Sequence, residues 1–150
     1  MVRSIIVLVA LGLFAVNATA ETHNKARGEV GEVKVIASPD TPARETTVPQ
    51  LRAIFAMRLH KWAGNLPVTV YVLSDYHPTH AAFSKTILNL FPYQMRRTWN
   101  RLVFSGTGQA PEEVLSEEEM VRKVASTPGA IGYIRRVKAD DSVHVLKIHR

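Results

Sequence analysis

Between Ser74 and His80 the chain reads Ser-Asp-Tyr-His-Pro-Thr-His. These side chains can bind an anion or move a proton. Just before them, Val68 to Leu73 is a continuous β-branched and apolar run bounded by Pro67 and Asp75, which predicts a strand. Pro78 suits the first position of a helix. A strand that hands over to a helix in this way presents free amides and a partial positive charge at its carboxyl end, where anions bind. Pro78 has no amide, so Thr79 and His80 supply the nearest backbone donors. The Thr79 hydroxyl adds another, and Asp75 can accept from a protonated oxygen of an anion such as hydrogen phosphate. The candidate oxyanion site is therefore Ser74, Asp75, His77, Thr79 and His80. The same polar residues would also serve simply to cap the helix.

Other groups carry weaker signals. His77 and His80 are three apart, but no third ligand stands near them, so neither a metal nor a cofactor is expected. Ser105-Gly106-Thr107-Gly108 could be an anion nest or a tight turn, and it lacks the Gly-Lys-Ser/Thr of a phosphate loop. Arg96, Arg97 and Arg101 form a basic cluster that is either an anion patch or a solvated face. Glu117, Glu118 and Glu119 suit the first turn of a helix, where the dipole stabilises acids. The chain has no cysteine, no Gly-x-Ser-x-Gly elbow and no His-Glu-x-x-His motif, which points away from an enzyme.

The elements that must hold these residues follow from periodicity. Glu32 to Ala37 reads as a strand. Thr47 is an N-cap for a helix with Leu51, Ile54, Phe55 and Leu59 on one face. After the strand ending at Leu73, a helix buries Ala82, Phe83, Ile87 and Leu88. A second begins at Pro92 and turns Met95, Trp99 and Leu102 inward. Glu117 to Ala125 forms another helix, with Met120, Val121 and Val124 at helical spacing. Ile131 to Val137 and Ser142 to Ile148 read as strands, an edge pair joined at Lys138 to Asp141. The apolar strand asks for cover on both faces. The order predicts one three-layer α/β domain with a mixed sheet.

The start of the chain predicts export. Arg3, an apolar run from Ile5 to Val16 and Ala18-Thr19-Ala20 match a signal peptide, residues 1–20, cleaved after Ala20. The run is too short to anchor in a bilayer. Residues 21–31 are polar and read as a flexible approach to a domain at 32–150. The mature chain, roughly 130 residues, is one domain in size and needs no disulfide to hold a core. The formal net charge of +6 favours anionic partners, and export makes nucleic acid an unfavourable one.

Several runs carry a family resemblance. These are Phe104-Ser105-Gly106, Ala110-Pro111, Ser116-Glu117-Glu118-Glu119-Met120-Val121 and Thr127-Pro128-Gly129-Ala130-Ile131-Gly132-Tyr133. Upstream, Leu51-Arg52-Ala53-Ile54-Phe55, Trp62 and Trp99 belong to the same ordered set. Together they resemble small periplasmic phosphate-binding-protein-like (PBP-like) domains, often described as phosphate ABC transporter substrate-binding proteins. The resemblance implies one lobe of the type 2 periplasmic-binding-protein fold. It also implies binding of phosphate or a related oxyanion in the periplasm, with an ABC permease or another envelope protein as partner. Full members close two lobes over the anion, one of them carrying Arg-x-Asp-x-Ser-Gly-Thr. Against that motif this chain keeps Asp75 and Thr79 but has Leu73 for the Arg and His77-Pro78 for Ser-Gly. The departures open an alternative: a degenerate lobe that acts as an interaction module without transporting a ligand.

Overall fold

The computed structural model describes residues 31–150, so the expected signal peptide and the approach segment up to residue 30 lie outside the described residues. The ordered elements are β1 (Lys34–Ala37), β2 (Glu45–Thr47), α1 (Val48–Phe55), β3 (Thr69–Leu73), α2 (Pro78–Thr86), α3 (Pro92–Phe104), β4 (Glu112–Val114), α4 (Glu117–Ser126), β5 (Ala130–Ile134), β6 (His144–Val145) and β7 (Lys147–His149). Five strands form one mixed sheet in the order β4-β3-β5-β1-β6. β3 runs parallel to β4 and β5, while β1 is antiparallel to both β5 and β6. β2 and β7 pair in parallel as a separate two-stranded sheet.

Two neighbouring residues of β5 define the layers, because successive side chains on a strand point to opposite faces. Gly132 lies against Met120 and Val124 of α4, so that a Cβ there would strike the Met120 sulfur. Tyr133 turns the other way and stacks on Phe83 of α2, with ring centroids 3.9 Å apart and 7° between planes. Phe55 of α1 sits 5.9 Å from the same ring. One helix therefore covers one face and the α1–α3 group covers the other, which makes three layers. Both tryptophans are buried with their indole N–H groups bonded, Trp99 to the Phe55 carbonyl at 2.7 Å and Trp62 to the Gly129 carbonyl at 2.8 Å.

The caps follow local chemistry. Thr47 and Ser116 accept amide protons from Gln50 and Glu119, as N-cap side chains do. Pro78 and Pro92 open α2 and α3.

Several expectations need correction. Leu59 lies beyond α1, which ends at Phe55. The buried face of α2 is Thr79, His80, Phe83 and Ser84, while Ala82 and Ile87 are only half-buried. The three polar residues of that face, Thr79, His80 and Ser84, bond inside the protein and so can be enclosed. The last two strands are not a hairpin pair, since β1 lies between β5 and β6. β2 and β4 are three-residue strands, too short to show alternation in sequence. The Ser105–Gly108 segment is a helix stop. The Gly106 amide bonds the Val103 carbonyl, those of Thr107 and Gly108 bond Leu102, and Gly106 takes φ +67°.

Candidate functional site

The β3–α2 junction sits beyond the carboxyl end of the parallel pair β3 and β4. β3 ends at Leu73 and the chain turns through Ser74–His77 before α2 begins. Ser74 closes the turn, its carbonyl accepting from the His77 amide at 2.8 Å. His77 is the N-cap of α2, and its Nδ1 accepts from the Thr79 amide at 3.1 Å. The Thr79 side chain is fully buried and its hydroxyl donates to Glu117 Oε1 at 2.5 Å. The structure therefore brings all five candidate residues together at the junction and ties the Thr79 amide and hydroxyl to partners within the chain, while the buried His80 Nε2 has no hydrogen-bond partner among the described residues.

Glu117 is the acceptor that sequence reasoning missed. It stands at the first position of α4 and is almost fully buried. Its Oε2 accepts three consecutive backbone amides, Arg135 at 2.9 Å, Arg136 at 2.7 Å and Val137 at 3.0 Å, where the chain leaves β5. Burial alone raises the pKa of this carboxyl. The Thr79 hydroxyl and the three amides outweigh burial and hold it below the ordinary value, so it is ionised. A protein carboxylate thus occupies a nest of donors of the kind that holds an anion. No local pattern announces this, because the amides lie 18 to 20 residues further along the chain.

Asp75 is held by Arg96 of α3 in a two-pronged pair, Nε to Oδ2 at 2.7 Å and Nη2 to Oδ1 at 3.0 Å. The basic cluster thus contributes one guanidinium to the junction. Donating to Asp75 raises the Arg96 pKa further. Arg96 also lies over the Trp99 ring, 5.1 Å from its centroid.

Behind this pair is a buried relay. The Leu73 amide donates to the Tyr133 hydroxyl at 2.9 Å, and that hydroxyl lies 2.5 Å from His80 Nδ1. With the hydroxyl accepting from Leu73, its own proton goes to His80 Nδ1. The imidazole proton then sits on Nε2, which faces Asp75 Oδ1 at 3.6 Å. His80 is fully buried, and burial pushes its pKa down to about 4; Asp75 opposes this, while Arg96 and His77 add to it. His80 is therefore a neutral strut at pH 7. Burial likewise raises the Tyr133 pKa, which keeps its proton on the ring oxygen.

A cavity of about 560 Å³ opens beside Asp75 and Arg96, with Tyr76, Tyr93, Lys85 and Arg97 on its walls. Tyr76 is 96% exposed and Tyr93 66%. Among the described residues, no group of three or more His, Asp or Glu could hold a metal ion.

The family model described as a PBP superfamily domain matches residues 14–144. The chain belongs to this PBP family. Its fold is that of a single PBP-like lobe with a mixed sheet. No curated protein matches its sequence. Among solved structures, it is similar to a protein from Clostridium perfringens described as a phosphate ABC transporter substrate-binding protein, with phosphate bound. The identity there is 20% and the TM-score 0.64, with 79% of this chain and 45% of that one covered. An ABC-type phosphate transport receptor from Vibrio cholerae is 14% identical with TM-score 0.60, covering 79% and 46%. PstS from Borrelia burgdorferi is 18% identical with TM-score 0.61, covering 79% and 47%. The PBP lobe thus spans just under half the length of each of these proteins. Among the described residues, no helix is long and apolar enough to cross a membrane.

Proposed function

We propose that this chain is an exported PBP-like lobe that acts in the periplasm as a non-catalytic protein-contact module, beside an ABC permease or another envelope protein. The observation that carries this reading is the internal use of the polar groups of Asp75 and Thr79 at the junction. The Thr79 hydroxyl is bonded to Glu117, the Thr79 amide to His77, and both Asp75 oxygens to Arg96. A free oxyanion would have to displace a buried carboxylate that already has four donors. The surface beside the junction instead offers exposed Tyr76 and Tyr93 with Lys85 and Arg97, which suits a partner face that is apolar and acidic. The leader in the sequence supports export.

Two measurements test this. Calorimetry of the mature protein with inorganic phosphate at millimolar concentration is expected to give no heat, and its melting temperature should not move. A pull-down from periplasm is expected to recover a partner that a Tyr76→Ser, Tyr93→Ser double variant loses while staying folded. Recovery of the same proteins by both baits would overturn the module reading.

A second reading, weak binding of phosphate or a related oxyanion at Ser74, Asp75, His77, Thr79 and His80, keeps one specific support. Asp75 and Arg96 are partly exposed and border a cavity that also has Lys85 and Arg97 on its wall. Saturable phosphate heat that Asp75→Asn and Thr79→Val both reduce would select this reading. A lost donor to a charged group costs about 1.5–3 kcal/mol.

A further inference from the structure

We infer that the cleft between α1 and the first half of α3 is a separate binding site for a small amphiphilic monoanion, a carboxylate head on an apolar body. The cleft encloses about 410 Å³, within the size range of small-molecule sites. It uses a different face of α3 from the Asp75 junction: Gln94, Met95 and Thr98 line it, whereas Tyr93, Arg96 and Arg97 face the other cavity. A period of 3.6 residues places these two sets on opposite sides of the helix.

Charge and donor accounting give the head group. Arg52 and Arg58 both line the cleft and no acidic residue does. Arg52 Nε donates to the Leu88 carbonyl at 2.7 Å, which fixes the guanidinium plane, and its two Nη groups have no partner among the described residues. Arg58 takes part in none of the ion pairs or side-chain hydrogen bonds among those residues. The Gln94 Oε1 accepts from the Phe91 amide at 2.8 Å, which leaves the Gln94 NH2 to donate. A planar carboxylate matches a fixed guanidinium fork. A phosphate would lack backbone donors here, because the amides of Met57, Arg58 and Leu59 turn back onto Ile54 and Ala53 carbonyls. Ala53, Leu90 and Met95 supply apolar wall for the body.

The turns that border the cleft are held in one shape. Met57 at φ +58° and Asn89 at φ +52° both sit in the left-handed region. Each ends a helix in the left-handed conformation, with the following amide turned back onto the helix, Arg58 to the Ala53 carbonyl and Leu90 to the Ser84 carbonyl.

The probe is octanoate, with octanol as the uncharged control and inorganic phosphate as competitor. Calorimetry of the full chain is expected to show octanoate binding at least about tenfold tighter than octanol, and Arg58→Gln to weaken it by about tenfold or more, as loss of a charge-assisted bond would. Amide shifts in an NMR titration are expected around Ala53 and Thr98 and not around Asp75 and Thr79. The Arg58 side chain is exposed and bonds to none of the described residues, so its variant should fold. Thr98→Phe fills the cleft by a separate route and should abolish binding. Equal affinity for octanol, displacement by phosphate, shifts at the Asp75 junction or no heat at millimolar octanoate would each overturn the proposal.

Discussion

At the residue scale, Glu117 does more than any candidate chosen from sequence. Its carboxylate ties α2, α4 and the segment after β5 through four hydrogen bonds. Glu117→Gln keeps the shape but replaces one acceptor oxygen with a donor NH2. The variant is expected to lose about 2–3 kcal/mol of stability, read as a lower urea midpoint at pH 7 with unchanged m-value. Thr79→Val removes one of the four bonds and should cost less, about 1–2 kcal/mol in the same measurement. Larger loss from Thr79→Val than from Glu117→Gln would contradict the central place given to the carboxylate.

At the element scale, the α4–sheet contact rests on a missing side chain. Gly132 lets Met120 and Val124 close onto β5, and Gly129 at φ +73° lets the chain pass the Pro67 carbonyl. Gly132→Ala pushes against the Met120 thioether, which is flexible, and is expected to cost about 1–3 kcal/mol by overpacking. Gly129→Ala meets backbone and an unfavourable φ together, so it should destabilise more than Gly132→Ala in parallel thermal melts. The same scale explains which elements were readable. The strand at β3 and the helices α1 to α4 announce themselves by β-branching, helical spacing, prolines and cap residues. β2 and β4 do not, because three residues carry no period and their pairing partners are distant in sequence.

At the scale of the whole molecule, pH should reveal the buried relay. His80 titrates near 6.5 when unfolded and near 4 when folded, so between these values the unfolded chain takes up a proton that the fold excludes. Stability is then complete above about pH 6.5 and falls as pH drops toward 4, by up to about 3 kcal/mol in total. Glu117 acts in the same direction lower down: its folded pKa lies below 4.5, so its contribution is present above that value and lost as pH falls through the folded pKa. Urea midpoints at pH 7.5 and pH 5 should differ, and His80→Gln should shrink the difference. An equal difference in that variant would assign the pH dependence elsewhere.

The amino-acid order alone carried the α/β class, the PBP-like resemblance, the position of the β3–α2 turn and the helix starts. All of these depend on local periodicity, caps and breakers that act over a few residues. Only the tertiary structure decided what the polar residues of that turn do. Thr79 meets a carboxylate 38 residues away, His80 a tyrosine 53 away and Asp75 an arginine 21 away. Whether a hydroxyl or an imidazole faces water or a buried partner depends on which distant segments the sheet order brings alongside it, and no spacing within seven residues encodes that.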